Sequence, residues 1–318
     1  MKLGVLTVPL YDRPVAQAFE YLAKLGVQTV ELGTGGYPGT KHLDPAVALD
    51  SPNEIKGLLD AHELAISALS CHGNPVHPNK EVSRKAHEDF VATCKLAEKL
   101  GVDTVVTFSG CPGDSHGAVH PNWVTCTWPN DFMDVLKFQW EEVLIPYWKE
   151  AAALAAGYGV TKIALEMHPG FCVYNPRTLL RLREAVGPAI GANFDPSHLF
   201  WQGIAPTEAI KVLKGAIYHF HAKDTKIDHY NAAVNGVLET ASYSDFISRG
   251  WVFRTVGYGH SETEWKAIIS TLRAVGYDGA ISIEHEDGLM SVEEGLEKAI
   301  DFLKPMLIYD TPAEMWWV

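Results

Sequence analysis

Eight short apolar runs punctuate this chain at nearly even intervals, with a longer amphipathic stretch between each and the next. They read KLGVLTV (2–8), VQTVEL (27–32), LAISALS (64–70), VDTVVTF (102–108), TKIALEM (161–167), AIGANFD (189–195), AIYHFHA (216–222) and GAISIEH (279–285). Half-exposed antiparallel strands would alternate apolar and polar residues, and these runs do not. They therefore read as parallel strands covered on both faces. The joints repeat as well: KLGVQTVEL, KLGVDTVVTF and AVGYDGAISIE share one helix–Gly–strand phrase, with the glycine where a helix ends. In SPNEIKGLLDAHE, Ser51 stands at the N-cap, Pro52 at the first helical position and Glu54 at the capping-box position.

Eight such units in 318 residues predict a single α/β domain over 1–318, a (β/α)8 TIM barrel with a core of about 2–306 and a C-terminal tail, 307–318. A doubly wound open sheet would show a Gly-rich first turn, and TVPLYDRP has none. Extended loops follow strand four (109–134) and strand seven (about 223–260). They are rich in Trp, Tyr, His and Gly, so they are expected to be ordered over a pocket. The tail carries Trp316 and Trp317, expected to pack on the barrel or on another subunit of a homo-oligomer.

Composition narrows the class. Hydrophobic residues make up 47% of the chain, ample for a core, and the formal charge of −13 argues against a nucleic-acid partner. No apolar stretch approaches the ~20 residues needed to span a bilayer. The N-terminus meets Asp12 and Arg13 too soon for a signal peptide. The five cysteines show no CxxC spacing, which suits a reducing cytoplasm.

In a TIM barrel the C-terminal strand ends converge on one mouth. There the fifth run offers Glu166, the sixth Asp195 with His198, the seventh His221 and the eighth Glu284. Singly, each reads as a loop anchor or a core hydrogen-bonding group. Together, packed acids would repel and raise one another's pKa values unless a cation intervened. Lys223 is the one basic residue close to these ends. The pattern therefore predicts one divalent metal on Glu166, Asp195, His221 and Glu284. The oxygen-rich set favours Mn²⁺, with Mg²⁺, Co²⁺ or Zn²⁺ as alternatives, over a metal-free salt-bridge cluster.

The phrases ALEMHPG, NFDPSH, HFHAKD and ISIEHED, in that order, resemble the sugar phosphate isomerase/epimerase superfamily, the xylose isomerase-like TIM barrels. RTVGYGHSETEW (254–265) is similar to the Gly-x-Gly-x-x-(Asp/Glu)-Trp phrase of that group. The resemblance implies a metal-dependent sugar or sugar phosphate isomerase or epimerase that works by proton transfer through a metal-stabilised enediolate. Glu166 and Glu284 would be its acid/base pair and His198 would help hold the carbohydrate. His72, His168, Lys223 and Trp123 are further candidates for substrate contact, with His116, His120 and Trp128 in the same loop as Trp123. D-tagatose and D-psicose 3-epimerases carry an Arg six residues after the metal His, where this chain has Ile227.

The same resemblance implies an alternative, a 3-oxo-glycoside lyase on the same site, some of whose relatives use a small second subunit. An apurinic-site endonuclease is disfavoured because VVTFSG ends strand four without the histidine those enzymes present. A non-catalytic sugar-binding barrel is expected to have lost one of the acids, and none is missing.

Overall fold

The computed structural model describes residues 1–311, 314, 315, 317 and 318. All eight apolar runs become strands: β1 (Lys2–Leu6), β2 (Thr29–Gly33), β3 (Ala65–Ser70), β4 (Thr104–Phe108), β5 (Lys162–Glu166), β6 (Ile190–Phe194), β7 (Ile217–Ala222) and, after an added hairpin, β10 (Ala280–Ile283). They pair in parallel into a closed barrel, β1 returning to β10 and β10 lying beside β7. Helices over residues 15–24, 52–61, 80–100, 145–157, 176–186, 262–274 and 292–303 clad it. The fold is a (β/α)8 TIM barrel.

The three repeated joints close as expected on left-handed glycines, Gly26, Gly101 and Gly276, with φ of +81°, +72° and +92°. The capping box at Ser51 does not form, because its side chain makes no cap hydrogen bond. A short helix, Pro45–Ala48, ends just ahead of it and Ser51 N–H donates back to Val47, so the residue joins two helices rather than starting one freely.

Alternation along the strands sorts side chains into two layers. On β5, Ile163 and Leu165 join the apolar layer under the helices, while Ala164 packs with Ala68 and Val106 inside the barrel. On β7, Phe220 faces outward, stacked on Phe194 at 5.7 Å, between the buried His219 and His221. The barrel interior toward the mouth is polar: Glu31, Asn193, His219, His221 and Ser282 are all buried there.

The two long connections differ in kind. Residues 109–130 run irregularly, held by Gln139 Nε2, which donates to the carbonyls of Pro112, Gly113 and Asn122 at 3.1, 3.2 and 2.6 Å. After β7 the chain builds an antiparallel hairpin from β8 (Asp224–Ile227) and β9 (Trp251–Arg254), with a short helix, His229–Asn235, between them. Trp316 lies outside the described residues and Trp317 is exposed, so the expected packing of that pair is not described. Among the described residues, no helix is long and apolar enough to cross a membrane, and all five cysteines are free.

Candidate active site

Period-two alternation carries four acidic or imidazole side chains to one point at the mouth. Glu166 is the last residue of β5, His221 lies one short of the end of β7, and Asp195 and Glu284 directly follow β6 and β10. One donor atom from each of the four falls within 4.8 Å of all the others. Asp195 also caps the helix Pro196–Phe200, its Oδ1 accepting from Ser197 N–H at 2.8 Å, which holds Oδ2 toward the cluster. Glu166 is gripped on both oxygens. His72 and Asn193 reach Oε2 at 3.1 and 3.0 Å, and His198 reaches Oε1 at 3.0 Å.

The acids are not without a cation. Lys223, two residues past His221 and buried on the same inward face, places Nζ 3.1 Å from Asp195, 2.6 Å from Glu284 and 3.0 Å from Glu286. Sequence reasoning noted Lys223 but underrated it. It lines the cavity, yet its ammonium is committed to three carboxylates. Burial pushes Glu284 up, but the charges of Lys223 and His221 outweigh it and hold the carboxyl at about 2. Burial likewise pushes Glu166 up, but the hydrogen bonds from His198 and His72 and the nearby His221 outweigh it and hold it well below the carboxylate range. Both are ionised.

The residues nonetheless fit a metal ion. Two buried atoms of the quartet, Asp195 Oδ2 and His221 Nδ1, have no hydrogen-bond partner among the described residues. Ions stand near each: Lys223 and His198 lie 3.1 and 3.2 Å from Oδ2, and Glu166 and Glu284 each 3.2 Å from Nδ1. Those approaches have ion-pair distances without hydrogen-bond angles, so the two atoms remain orphaned. His221 Nε2 lies 2.9 and 3.0 Å from the oxygens of Glu31. One proton on Nε2 satisfies that contact. Against the effect of burial, the surrounding carboxylates push His221 well above the usual imidazole range, so Nδ1 is protonated as well in the metal-free protein. A metal ion would take the place of that Nδ1 proton. Three carboxylates and one such imidazole are a donor set for a divalent cation.

A profile described as xylose isomerase-like TIM barrel matches residues 19–306. The chain belongs to that family. It is 42% identical over 310 residues to the uncharacterized protein YfiH of Bacillus subtilis, covering 96% of this chain and 98% of that one. Among solved structures it resembles the probable 3-DHS dehydratase AsbF of Bacillus anthracis, with a TM-score of 0.65, 18% identity, and 96% and 99% of the two chains covered. A D-tagatose 3-epimerase-like protein gives a TM-score of 0.63 at 22% identity, covering 96% and 98%.

The family phrases have structural reasons here. Asp224 of HFHAKD is fully buried, and its Oδ2 accepts from the N–H groups of Gly257, Gly259 and His260 at 3.0, 3.1 and 3.0 Å and from the Trp265 indole at 3.1 Å. One carboxylate thus clamps the whole VGYGHSETEW segment. A Cβ on Gly259 would sit 2.3 Å from the Thr225 carbonyl, so only glycine lets the loop approach.

The other expected contacts divide. His72 and His168 join Phe108, Phe171 and Tyr37 around a cavity of about 370 Å³ whose inner end is Glu166, Lys223 and Glu284. Burial and the charge of His198 push His168 down to about 3, so it is neutral. His198 is bound to Glu166 but lines a neighbouring cavity rather than this one. Trp123 lines that neighbouring cavity as well. His116 and Trp128 are exposed and His120 is on the surface, so this family member brings none of the three to the acids.

Sequence reading missed Glu31 altogether. It is fully buried on β2, its two oxygens taken by His221, Ser70 and Ser282 Oγ, and the charges of His221 and His219 hold it at about 2 against the upward push of burial. Its signal was present: a lone acid between Val30 and Leu32 in an otherwise apolar strand.

Proposed function

We propose that this chain is a divalent-metal-dependent isomerase or epimerase acting on a carbohydrate, with Mn²⁺ on Glu166, Asp195, His221 and Glu284. The observation that carries this is the pair of orphaned buried atoms, Asp195 Oδ2 and His221 Nδ1, in a quartet closed to within 4.8 Å. When bound, a divalent cation supplies Lewis acidity to a carbonyl and its neighbouring hydroxyl.

The protein's own groups supply the proton transfers. Glu166 and Glu284, both ionised, come from strand ends that are not neighbours in the barrel, those of β5 and β10, and each lies 3.2 Å from His221 Nδ1. One carboxylate takes a proton from the carbon beside the carbonyl; the other, once it has itself taken up a proton by exchange with water, delivers that proton, and the roles reverse in the next turnover. Return to the same carbon on the opposite face is epimerisation; return to the former carbonyl carbon is isomerisation. His72, His198 and Asn193 fix the direction of Glu166, and Lys223 that of Glu284. Phe108 and Phe171, stacked at 4.2 Å, form an apolar wall that limits water at the site.

A 3-oxo-glycoside lyase is the second reading, favoured by the cavity beside His168, which leaves room for a leaving group. The test is solvent exchange. Protein reconstituted with about one equivalent of Mn²⁺ should wash deuterium from D2O into the carbon next to the carbonyl when offered a panel of ketoses and 3-oxo-sugars. Exchange with retention of all atoms supports the isomerase; exchange with expulsion of an alcohol supports the lyase. No exchange across the panel, or no metal retained, refutes the proposal.

A further inference from the structure

The site has a second chamber. Next to the first cavity lies another of about 590 Å³, and His168 is part of the wall of both. His198, hydrogen-bonded to Glu166, also lines the second chamber, so a group lodged there lies beside the side chain that orients a proposed acid/base. The chamber is made where the two long connections meet: Trp123 comes from the segment after β4, Tyr243, Trp251 and Phe253 from the one after β7, and Trp201 from the turn after the Asp195 helix.

Its walls are flat rings packed on one another. Trp201 and Trp251 stack at 4.6 Å with planes 4° apart, and Tyr243 and Phe253 at 5.9 Å and 11°. Aromatic faces of this kind suit the C–H face of a sugar ring. The chamber has polar lining beside the rings: Glu239, Thr240 and Ser242 border it, and the wall residues Trp123 and Trp201 each hold a buried indole N–H without a partner among the described residues. An indole N–H ordinarily finds an acceptor when buried.

Charge narrows the occupant further. The basic groups to account for among the described residues lining the two chambers are Lys223, Arg249 and His198, the last tied to Glu166 and Asp195 at 3.0 and 3.2 Å. Lys223 is held by Asp195, Glu284 and Glu286. Arg249 is 3% exposed, bonded to the carbonyls of Trp251 and Ala241, and packed over the rings of Tyr243 and Trp251 at 4.4 and 4.8 Å. None of the three offers a free cation to a phosphate.

We infer that the site takes an uncharged, unphosphorylated two-ring glycoside, with the reacting ring in the chamber above Glu166 and Glu284 and a second sugar ring in the chamber walled by Trp123, Trp201 and Tyr243. This rests on the reading of the first chamber as a carbohydrate site, but its test reads binding rather than turnover.

Isothermal titration of the full chain, with and without Mn²⁺, would compare methyl β-D-glucoside with cellobiose, maltose, lactose and trehalose, and also with phenyl β-D-glucoside and glucose 6-phosphate. At least one disaccharide should bind tenfold or more tighter than the methyl glucoside, and glucose 6-phosphate no tighter than it. Tyr243→Ala and Trp123→Ala should each erase most of that gain while changing methyl glucoside affinity less than twofold. The circular dichroism spectrum and melting temperature of each variant establish that it is folded. Disaccharides that bind no tighter than the methyl glucoside overturn the inference. So does a gain confined to phenyl β-D-glucoside, which would make the second chamber an aromatic-group site, and so does tighter binding of the phosphate. A disaccharide preference without any proton exchange would sink the isomerase reading alone; exchange with monosaccharides and no such preference would sink this inference alone.

Discussion

Replacing Glu31 separates a positioning role from a purely architectural one. Its carboxylate meets His221 Nε2 at 2.9 and 3.0 Å and Ser282 Oγ at 2.8 Å, and also accepts from Ser70 Oγ, all out of reach of water. By fixing one proton on Nε2 it leaves Nδ1 for the quartet. Loss of such an outer partner typically costs about 10–100-fold in metal affinity, equivalent to ~1.4–2.7 kcal/mol. Glu31→Ala should fall in that range for Mn²⁺, measured by competition with a fluorescent chelator. It should also destabilise the metal-free protein, because buried donors on His221, Ser70 and Ser282 lose their acceptor at ~1–3 kcal/mol each, not fully additively. Glu31→Gln keeps a carbonyl for Nε2 and should recover most of the affinity, though not all, since the charge is gone. The decisive comparison is affinity against melting temperature. A Glu31→Ala protein that melts lower yet binds Mn²⁺ within twofold of the parent would falsify the positioning argument and leave Glu31 a structural group.

Glu284→Gln, with metal occupancy verified, should lower the rate of solvent exchange by about 10²–10⁴-fold; less than tenfold would remove Glu284 from the acid/base pair. Asp224→Ala strands four or more N–H donors of the 257–265 segment, so its melting temperature should drop by more than about 6 °C, reckoning ~1–3 kcal/mol for each unpaired group. A drop below 2 °C would mean that the segment holds without its clamp. Deleting Ser115–Val119, mostly exposed and absent from both chambers, should change kcat/KM less than twofold, whereas Trp123→Ala should reduce it for any two-ring substrate. A deletion that abolishes turnover would return that stretch to the site.

The barrel was legible in the sequence because parallel strands buried on both faces leave an unbroken apolar signature, and the left-handed glycines at 26, 101 and 276 mark the helix ends. The quartet was legible for a related reason: a carboxylate that ends such a run must face the mouth. Glu31 escaped because it lies inside its strand, where one acid among valine and leucine does not reveal whether it faces the barrel or the helices. The second chamber escaped too. It is assembled from Trp123, Trp201 and Tyr243, whose proximity depends on how two long connections fold over the mouth. Trp123 could be picked out as an aromatic residue in a long loop, but nothing local told which chamber it serves.

Lys223 bears most directly on the case for a metal, since a buried ammonium among the acids could have settled their charge by itself. The geometry divides the work differently. Lys223 contacts Asp195, Glu284 and Glu286, and its shortest contact is to Glu284, at 2.6 Å. Glu166, on the other side of the cluster, is held by His72, His198 and Asn193 instead. His221 Nδ1, between Glu166 and Glu284, gains no hydrogen bond from the lysine arrangement or from any other described residue. A metal-free salt-bridge cluster thus leaves that buried nitrogen with ion-pair contacts at 3.2 Å to Glu166 and Glu284 but without a well-angled hydrogen bond. An electron-pair acceptor in place of its proton satisfies it directly, and Glu286, whose side chain is half exposed, offers the ammonium a partner nearer solvent once Asp195 and Glu284 are shared. Substituting Glu286 by Gln should therefore weaken Mn²⁺ binding by leaving Lys223 no alternative to the quartet. An unchanged or higher affinity in that variant would show that the lysine and the metal do not contend for the same oxygens.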